Sequence, residues 1–82
     1  MSNQDLLERI VLNHDTMVGK PVIKGTRLTV QFIVGLMAQG AAMDEILGEY
    51  KDLVRDDILA CLLFAQEALE RTDFVPLTKE GV

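Results

Sequence analysis

The sequence predicts a mainly α domain: a short N-terminal β element over residues 8–29, a three-helix helix-turn-helix unit over residues 30–71, and a tail over residues 72–82. Three observations predict this class. The apolar pattern changes from alternation to helical spacing near Thr29. Glycine and proline interrupt the chain between residues 19 and 25. A chain of 82 residues is long enough for one domain and too short for two.

The β element is predicted from two short extended runs. "ERIVLN", residues 8–13, alternates apolar and polar positions, and "PVIK", residues 21–24, forms the second strand. Pro21 suits the first residue of a strand or an edge position. Gly19 and Gly25 are predicted to serve turns that need a positive φ, rather than to cradle a phosphate, because no P-loop lysine spacing follows them.

Three helices follow. Thr29 can cap a first helix over residues 30–39, and Gly40 is placed to end it. A second helix covers residues 43–50, and a third covers residues 55–71. The apolar positions predicted to share one face of the third helix are Ile58, Cys61, Leu62, Ala65, Ala68 and Leu69.

Leu59 and Leu63 widen this stripe beyond what a three-helix core needs. They are therefore predicted to contact a partner protein. Three apolar residues of the tail, Phe74, Val75 and Leu77, are predicted to do the same, with disorder of the tail as the alternative.

The net charge of −5 is unevenly distributed. Residues 9–27 hold four basic residues and one acid, whereas residues 28–82 hold four basic residues and ten acids. A helix-turn-helix normally places the start of its last helix in the major groove, but here that start carries Asp56 and Asp57, which phosphates repel. Any DNA contact is therefore predicted to come from the basic run "GKPVIKGTRLTV", residues 19–30, which contains no acid.

Within that run, Lys20, Lys24 and Arg27 are the candidate DNA-binding residues. Lysine is seldom buried, so a contact role is favoured for both lysines. Arg27 has two possible roles: it contacts DNA, or it pairs with an acid such as Asp44 or Asp57 and fixes the β element to the helices.

The remaining composition points to a cytoplasmic homodimer without catalytic chemistry. The single cysteine, Cys61, allows no intrachain disulfide, and no signal peptide or membrane span is apparent. Apolar residues make up 49% of the chain, more than a small monomer easily buries. Cys61 and the single histidine, His14, form no catalytic set and no zinc site, so neither an enzyme nor a cofactor is predicted.

The segments "RIVLNHDTMVGKPVIKGTRLTV" and "LMAQGAAMDEILGEYKDLVRDDILACLLFA" resemble the domain-of-unknown-function 433 family, chiefly through the Gly-Lys-Pro and Gly-Thr-Arg triplets at this spacing. The family has a serine or threonine helix cap where Val54 stands, which implies a less well capped third helix here.

The resemblance implies a homeodomain-like fold and a VapB-type antitoxin. Such an antitoxin blocks a PIN-like ribonuclease toxin and represses its own operon by binding operator DNA. Two other functions stay open from the residues themselves. One is a stand-alone DNA-binding regulator, and the other is a dimeric interaction module without nucleic acid.

Overall fold

The computed structural model describes residues 2–12 and 19–71. These residues form six elements in the order α1 (Asn3–Leu7), β1 (Ile10–Leu12), β2 (Pro21–Ile23), α2 (Val30–Ala38), α3 (Met43–Glu49) and α4 (Arg55–Glu70). The mainly helical class with a small N-terminal β element is confirmed. The tail, with Phe74, Val75 and Leu77, lies outside the described residues.

The expectation of three helices is corrected by α1, which precedes the β element. Ser2 caps this helix: the Asp5 N–H donates to Ser2 Oγ at 3.1 Å, and the Ser2 N–H donates to Asp5 Oδ2 at 3.4 Å. A five-residue helix is too short to be stable alone, so its packing against α4 holds it in place.

The two strands pair antiparallel, with Val11 opposite Val22 and Leu12 opposite Pro21. β1 starts at Ile10, later than the predicted strand, because α1 and its C-terminal turn occupy the preceding residues. Pro21 is the first residue of β2, as predicted. Val22 and Ile23 are buried, so the sheet contributes directly to the core.

The predicted ends of the helices are confirmed within a residue. The Phe32 N–H donates to Thr29 Oγ1 at 2.9 Å at the start of α2, and Gly40 follows its end with φ +102°. α3 has no side-chain N-cap, but Glu45 Oε1 accepts the Ala42 N–H at 2.7 Å.

The core lies where β2, α2, α3 and α4 meet. Its buried residues are Ile23, Val30, Ile33, Ile46, Leu53, Ile58 and Cys61. Three residues predicted on the core face of α4 are exposed instead: Ala68, Leu62 at 37% and Leu69 at 69%. No helix in the described part of the chain is long and apolar enough to cross a membrane.

Candidate functional site

The Gly-Thr-Arg triplet forms a tight turn that is fixed by its own threonine. The Thr26 N–H donates to the Ile23 carbonyl at 3.0 Å, and Gly25 has the positive φ, +82°, that the turn requires. Thr26 Oγ1 donates to the same carbonyl at 2.8 Å and accepts the Leu28 N–H at 3.0 Å. Glycine and threonine are therefore explained by the turn, which leaves the arginine free for another role.

The three basic residues of this region are all exposed. Lys20 precedes β2 beside Gly19, whose φ is +76°, while Lys24 and Arg27 flank the turn. Within residues 2–12 and 19–71, none of the three forms an ion pair. The predicted DNA-binding residues therefore lie on one short, conformationally restrained segment and are accessible to a ligand.

The ion pair between the β element and α4 is made by Arg9 instead of Arg27. Arg9 Nη1 donates to Asp57 Oδ1 at 3.0 Å, and Arg9 Nη2 lies 3.7 Å from Asp56 Oδ2. The predicted pairing of Arg27 with Asp57 is therefore wrong, because Arg9 occupies that place. An arginine does join the two parts as expected, but from a position directly before β1.

Asp57 also caps the helix that carries it. Its second oxygen, Oδ2, accepts the Val54 N–H at 2.9 Å. Val54 has no side-chain acceptor, so this carboxylate supplies a hydrogen bond at a helix start that lacks a serine or threonine cap. Asp57 is 8% exposed and has a polar partner for each oxygen, which is how a buried carboxylate is tolerated.

The face of α4 opposite the core is lined with leucines. Residues 57, 58, 60 and 61 are buried, whereas residues 59, 62, 63 and 66 fall on the other side at 100° per residue. Leu69 lies in line with both Leu62 and the buried Ile58, but it stands near the end of α4, beyond the buried residues of the helix. Leu59 and Leu63 are half-buried, and Leu62 and Leu69 are exposed. We call Leu59, Leu62, Leu63 and Leu69 the outer leucine face.

This face contains two of the predicted partner-binding residues, Leu59 and Leu63. The sequence reading missed Leu62 and Leu69, which it assigned to the core. The width of the apolar stripe indicated that some of its leucines would be exposed. A stripe that covers most of a helix does not show which of its residues face the core.

Cys61 is a core residue, as predicted. The side chain is completely buried. Burial, followed by the negative charge of Asp57, raises the pKa of the thiol to about 12. The reactive thiolate is therefore scarce at neutral pH.

An open groove of about 470 Å³ runs between the end of α2 and α3. Its lining residues are Leu36, Gln39, Gly40, Ala41, Glu45, Ile46, Glu49 and Tyr50. Because two carboxylates and no cation line it, this side of the protein repels phosphate and suits a positively charged surface.

Among the described residues, no three metal-ligating side chains lie together. His14 lies outside the described residues.

The comparisons with known proteins place the chain in a family. The family model described as "Protein of unknown function (DUF433)" matches residues 10–65. The crystal structure of a DUF433 member protein from Anabaena variabilis ATCC 29413 is similar, with a TM-score of 0.73 and 28% sequence identity, covering 83% of this chain and 67% of that one. No curated protein matches the chain. Since the family model covers more than half of its length, the chain belongs to the DUF433 family.

Proposed function

We propose that the chain is the antitoxin of a type II toxin–antitoxin pair and acts by binding and neutralising a PIN-like ribonuclease. The observation that carries the proposal is the outer leucine face. Leu62 and Leu69 are exposed two helical turns apart on α4, and the half-buried Leu59 and Leu63 adjoin Leu62. Contiguous exposed apolar side chains of this kind mark interaction sites with other proteins.

The charge distribution supports a nucleic-acid-processing partner. A ribonuclease holds its substrate on a basic surface, because phosphates dominate that interaction. This chain carries a net charge of −5, and Glu67 and Glu70 follow Leu63 by one and two helical turns on α4. An acidic rim around an apolar centre complements a basic protein surface and speeds the encounter.

The Gly-Lys-Pro and Gly-Thr-Arg triplets resemble those of the family, many of whose members are similar to VapB-type antitoxins, and this resemblance supports the choice of a toxin as the partner. No catalytic step is part of the proposal. The interface consists of the outer leucine face, extended by the predicted contacts of Phe74, Val75 and Leu77.

The experiment is a pull-down of the tagged chain from its native host at moderate salt, followed by mass spectrometry and an RNA-cleavage assay. We expect a stoichiometric small nuclease whose cleavage of RNA this chain inhibits. The Leu62→Glu/Leu69→Glu variant should lose the nuclease, whereas Gln31→Glu, a new charge at an exposed position of α2, should retain it. Recovery of this chain alone, or unchanged capture by the double variant, would contradict the proposal.

A second function, binding to operator DNA, is favoured by Lys20, Lys24 and Arg27, which are exposed and form no ion pair with any other residue that the structure describes. We propose that α2, α3 and α4 form a homeodomain-like helix-turn-helix whose last helix stays outside the groove, because Asp56 and Asp57 stand at its start. The basic segment then contacts phosphates.

This second function is tested by titrating the promoter DNA at several salt concentrations. Lys20, Lys24 and Arg27 are replaced one at a time with glutamine. Each lost phosphate contact should reduce the slope of the logarithm of the binding constant against the logarithm of the salt concentration by about one. Lys51→Gln, at an exposed position near α3, is the matched control and should leave it unchanged. If neither DNA nor a toxin binds, the chain is an interaction module without nucleic acid.

A further inference from the structure

The two strands of the small sheet differ in how their edges are covered. β2 has neighbours on both sides: β1 on one, and on the other the segment after the turn, where the Ile23 N–H donates to the Leu28 carbonyl at 2.9 Å and Val22 bridges to Thr29. Within the described residues, β1 pairs only with β2. Nothing in residues 2–12 or 19–71 pairs with the other edge of β1, which we call the open edge of the sheet.

The register determines which backbone groups point to this edge. The Lys24 N–H donates to the Arg9 carbonyl at 2.7 Å. In an antiparallel ladder, this bond makes Val11–Val22 a hydrogen-bonded pair and leaves Ile10–Ile23 and Leu12–Pro21 as non-hydrogen-bonded pairs. Pro21 fits this assignment because it has no N–H to offer β1. The N–H and C=O groups of Ile10 and Leu12 consequently point away from β2, toward the open edge.

None of the usual devices that block an exposed edge is present in β1. The strand reads Ile-Val-Leu, without proline, lysine or any other charged residue. The preceding Arg9 is engaged with Asp57 and turned toward α4. At the other end of the strand Leu12 is 59% exposed, although it is a large apolar residue. Such an edge is a template for another strand.

We propose that β1 pairs with β1 of a second copy of this chain, antiparallel and about a twofold axis through Val11. This register places Ile10 of each copy opposite Leu12 of the other, and each of the two pairs exchanges both of its backbone hydrogen bonds. The result is a four-stranded sheet in the order β2–β1–β1–β2. A two-stranded sheet is marginal alone, and four strands are not.

A second copy fits this edge better than an unrelated strand for two reasons. The register is self-complementary, because the residues that supply the free donors also supply the free acceptors. It also places the exposed Leu12 beside Ile10 of the second copy, which itself packs against the core. The uncharged strand lets two molecules of net charge −5 meet without like charges at the contact.

The pairing leaves the outer leucine face untouched, so it is independent of the proposed antitoxin function. It also explains the apolar content of the chain in part, because Leu12 is covered in the dimer.

The first test is the molar mass by light scattering over a range of concentrations, with twice 9.1 kDa expected for the full chain. Leu12→Pro removes the outward N–H and leaves the bonds to β2, so we expect its dimer Kd to rise by about tenfold or more. Leu12→Ala retains that N–H and is the matched control, so its dimer Kd should rise less. A monomeric wild-type chain, or a folded Leu12→Pro variant that dimerises unchanged, would overturn the proposal.

A cross-linking test decides the register even if the proline variant fails to fold. Across a twofold axis at Val11, the two Val11 residues form a non-hydrogen-bonded pair with Cα atoms about 4.5 Å apart, close enough for a disulfide. Val11→Cys should therefore form a covalent dimer under mild oxidation. The matched variant Leu62→Cys should not, and the buried Cys61 of the wild-type chain is the baseline. Cross-linking of Leu62→Cys but not Val11→Cys would assign the dimer to α4 and refute the β1 edge.

Discussion

Asp57 joins three parts of the molecule, so its removal should be far more damaging than removal of the neighbouring Asp56. In Asp57→Ala, Arg9 loses its 3.0 Å hydrogen bond and the Val54 N–H loses its 2.9 Å acceptor. A charge-assisted hydrogen bond is worth about 1.5–3 kcal/mol, and a capping bond about 1 kcal/mol. Because the Arg9 side chain is 34% exposed and can turn toward Asp56, we expect a total loss of about 3 kcal/mol.

The measurement is the free energy of unfolding from urea titration followed by circular dichroism. A chain of this length is stable by about 4–12 kcal/mol, so the expected loss is a large fraction of the total. Asp57→Asn retains one neutral acceptor oxygen, so its free energy of unfolding should lie between those of the wild type and Asp57→Ala.

Asp56→Ala is the matched control. Its carboxylate is 3.7 Å from Arg9 and 34% exposed, so the variant should lose no more than about 1 kcal/mol. Equal losses for Asp56→Ala and Asp57→Ala would show that the Asp57 bonds do not fix the β element to α4.

Three further predictions concern the turn, a helix and the core. Thr26→Val should lower the free energy of unfolding by about 1–2 kcal/mol in the same titration, because two hydrogen bonds of its hydroxyl are lost, while Thr26→Ser should preserve most of it. Gly25→Ala should lower the free energy of unfolding by about 1–2 kcal/mol, because Gly25 has a φ of +82°. Gly35→Ala should raise it by about 0.5–1 kcal/mol, because Gly35 lies inside α2 and an added Cβ meets open space. A change of the same sign in both variants would contradict the different backbone conformations of the two glycines. The pKa of the buried Cys61 thiol, about 12, exceeds its ordinary value of 9.0, so the contribution of this thiol to stability is present below pH 9 and is lost as the pH rises toward 12. The melting temperature of the wild type should therefore fall more steeply above pH 9 than that of Cys61→Ala, and parallel curves would refute this.

Local signals in the sequence predicted much of the fold. Thr29 and Gly40 act through their own backbone and nearest turn, so the start and end of α2 follow from chemistry within a few residues. The turn at Gly25 is of the same kind. The Ser2–Asp5 capping box was an equally local signal for α1, but the helix is so short that no apolar period accompanies it.

The candidate sites were harder to predict because they depend on contacts distant in sequence. Spacing placed Leu62 and Leu69 on an apolar stripe, but the side of α4 that faces the core is decided by the packing of α1 and α2 against it. Leu69 lies in line with the buried Ile58 and is exposed because it stands near the end of the helix. Similarly, the charges of Arg9 and Arg27 are indistinguishable in the sequence, and only the fold shows that Arg9 reaches Asp57.

The Arg9–Asp57 contact spans 48 residues, and this separation affects how the protein is made. During synthesis the β element leaves the ribosome well before its anchor on α4 is translated. The β element lacks this anchor until α4 has emerged, because a nonlocal contact cannot form before both of its ends exist. α4 thus completes the packing of a segment translated long before it, and a chain cut short before residue 57 has a β element without its anchor.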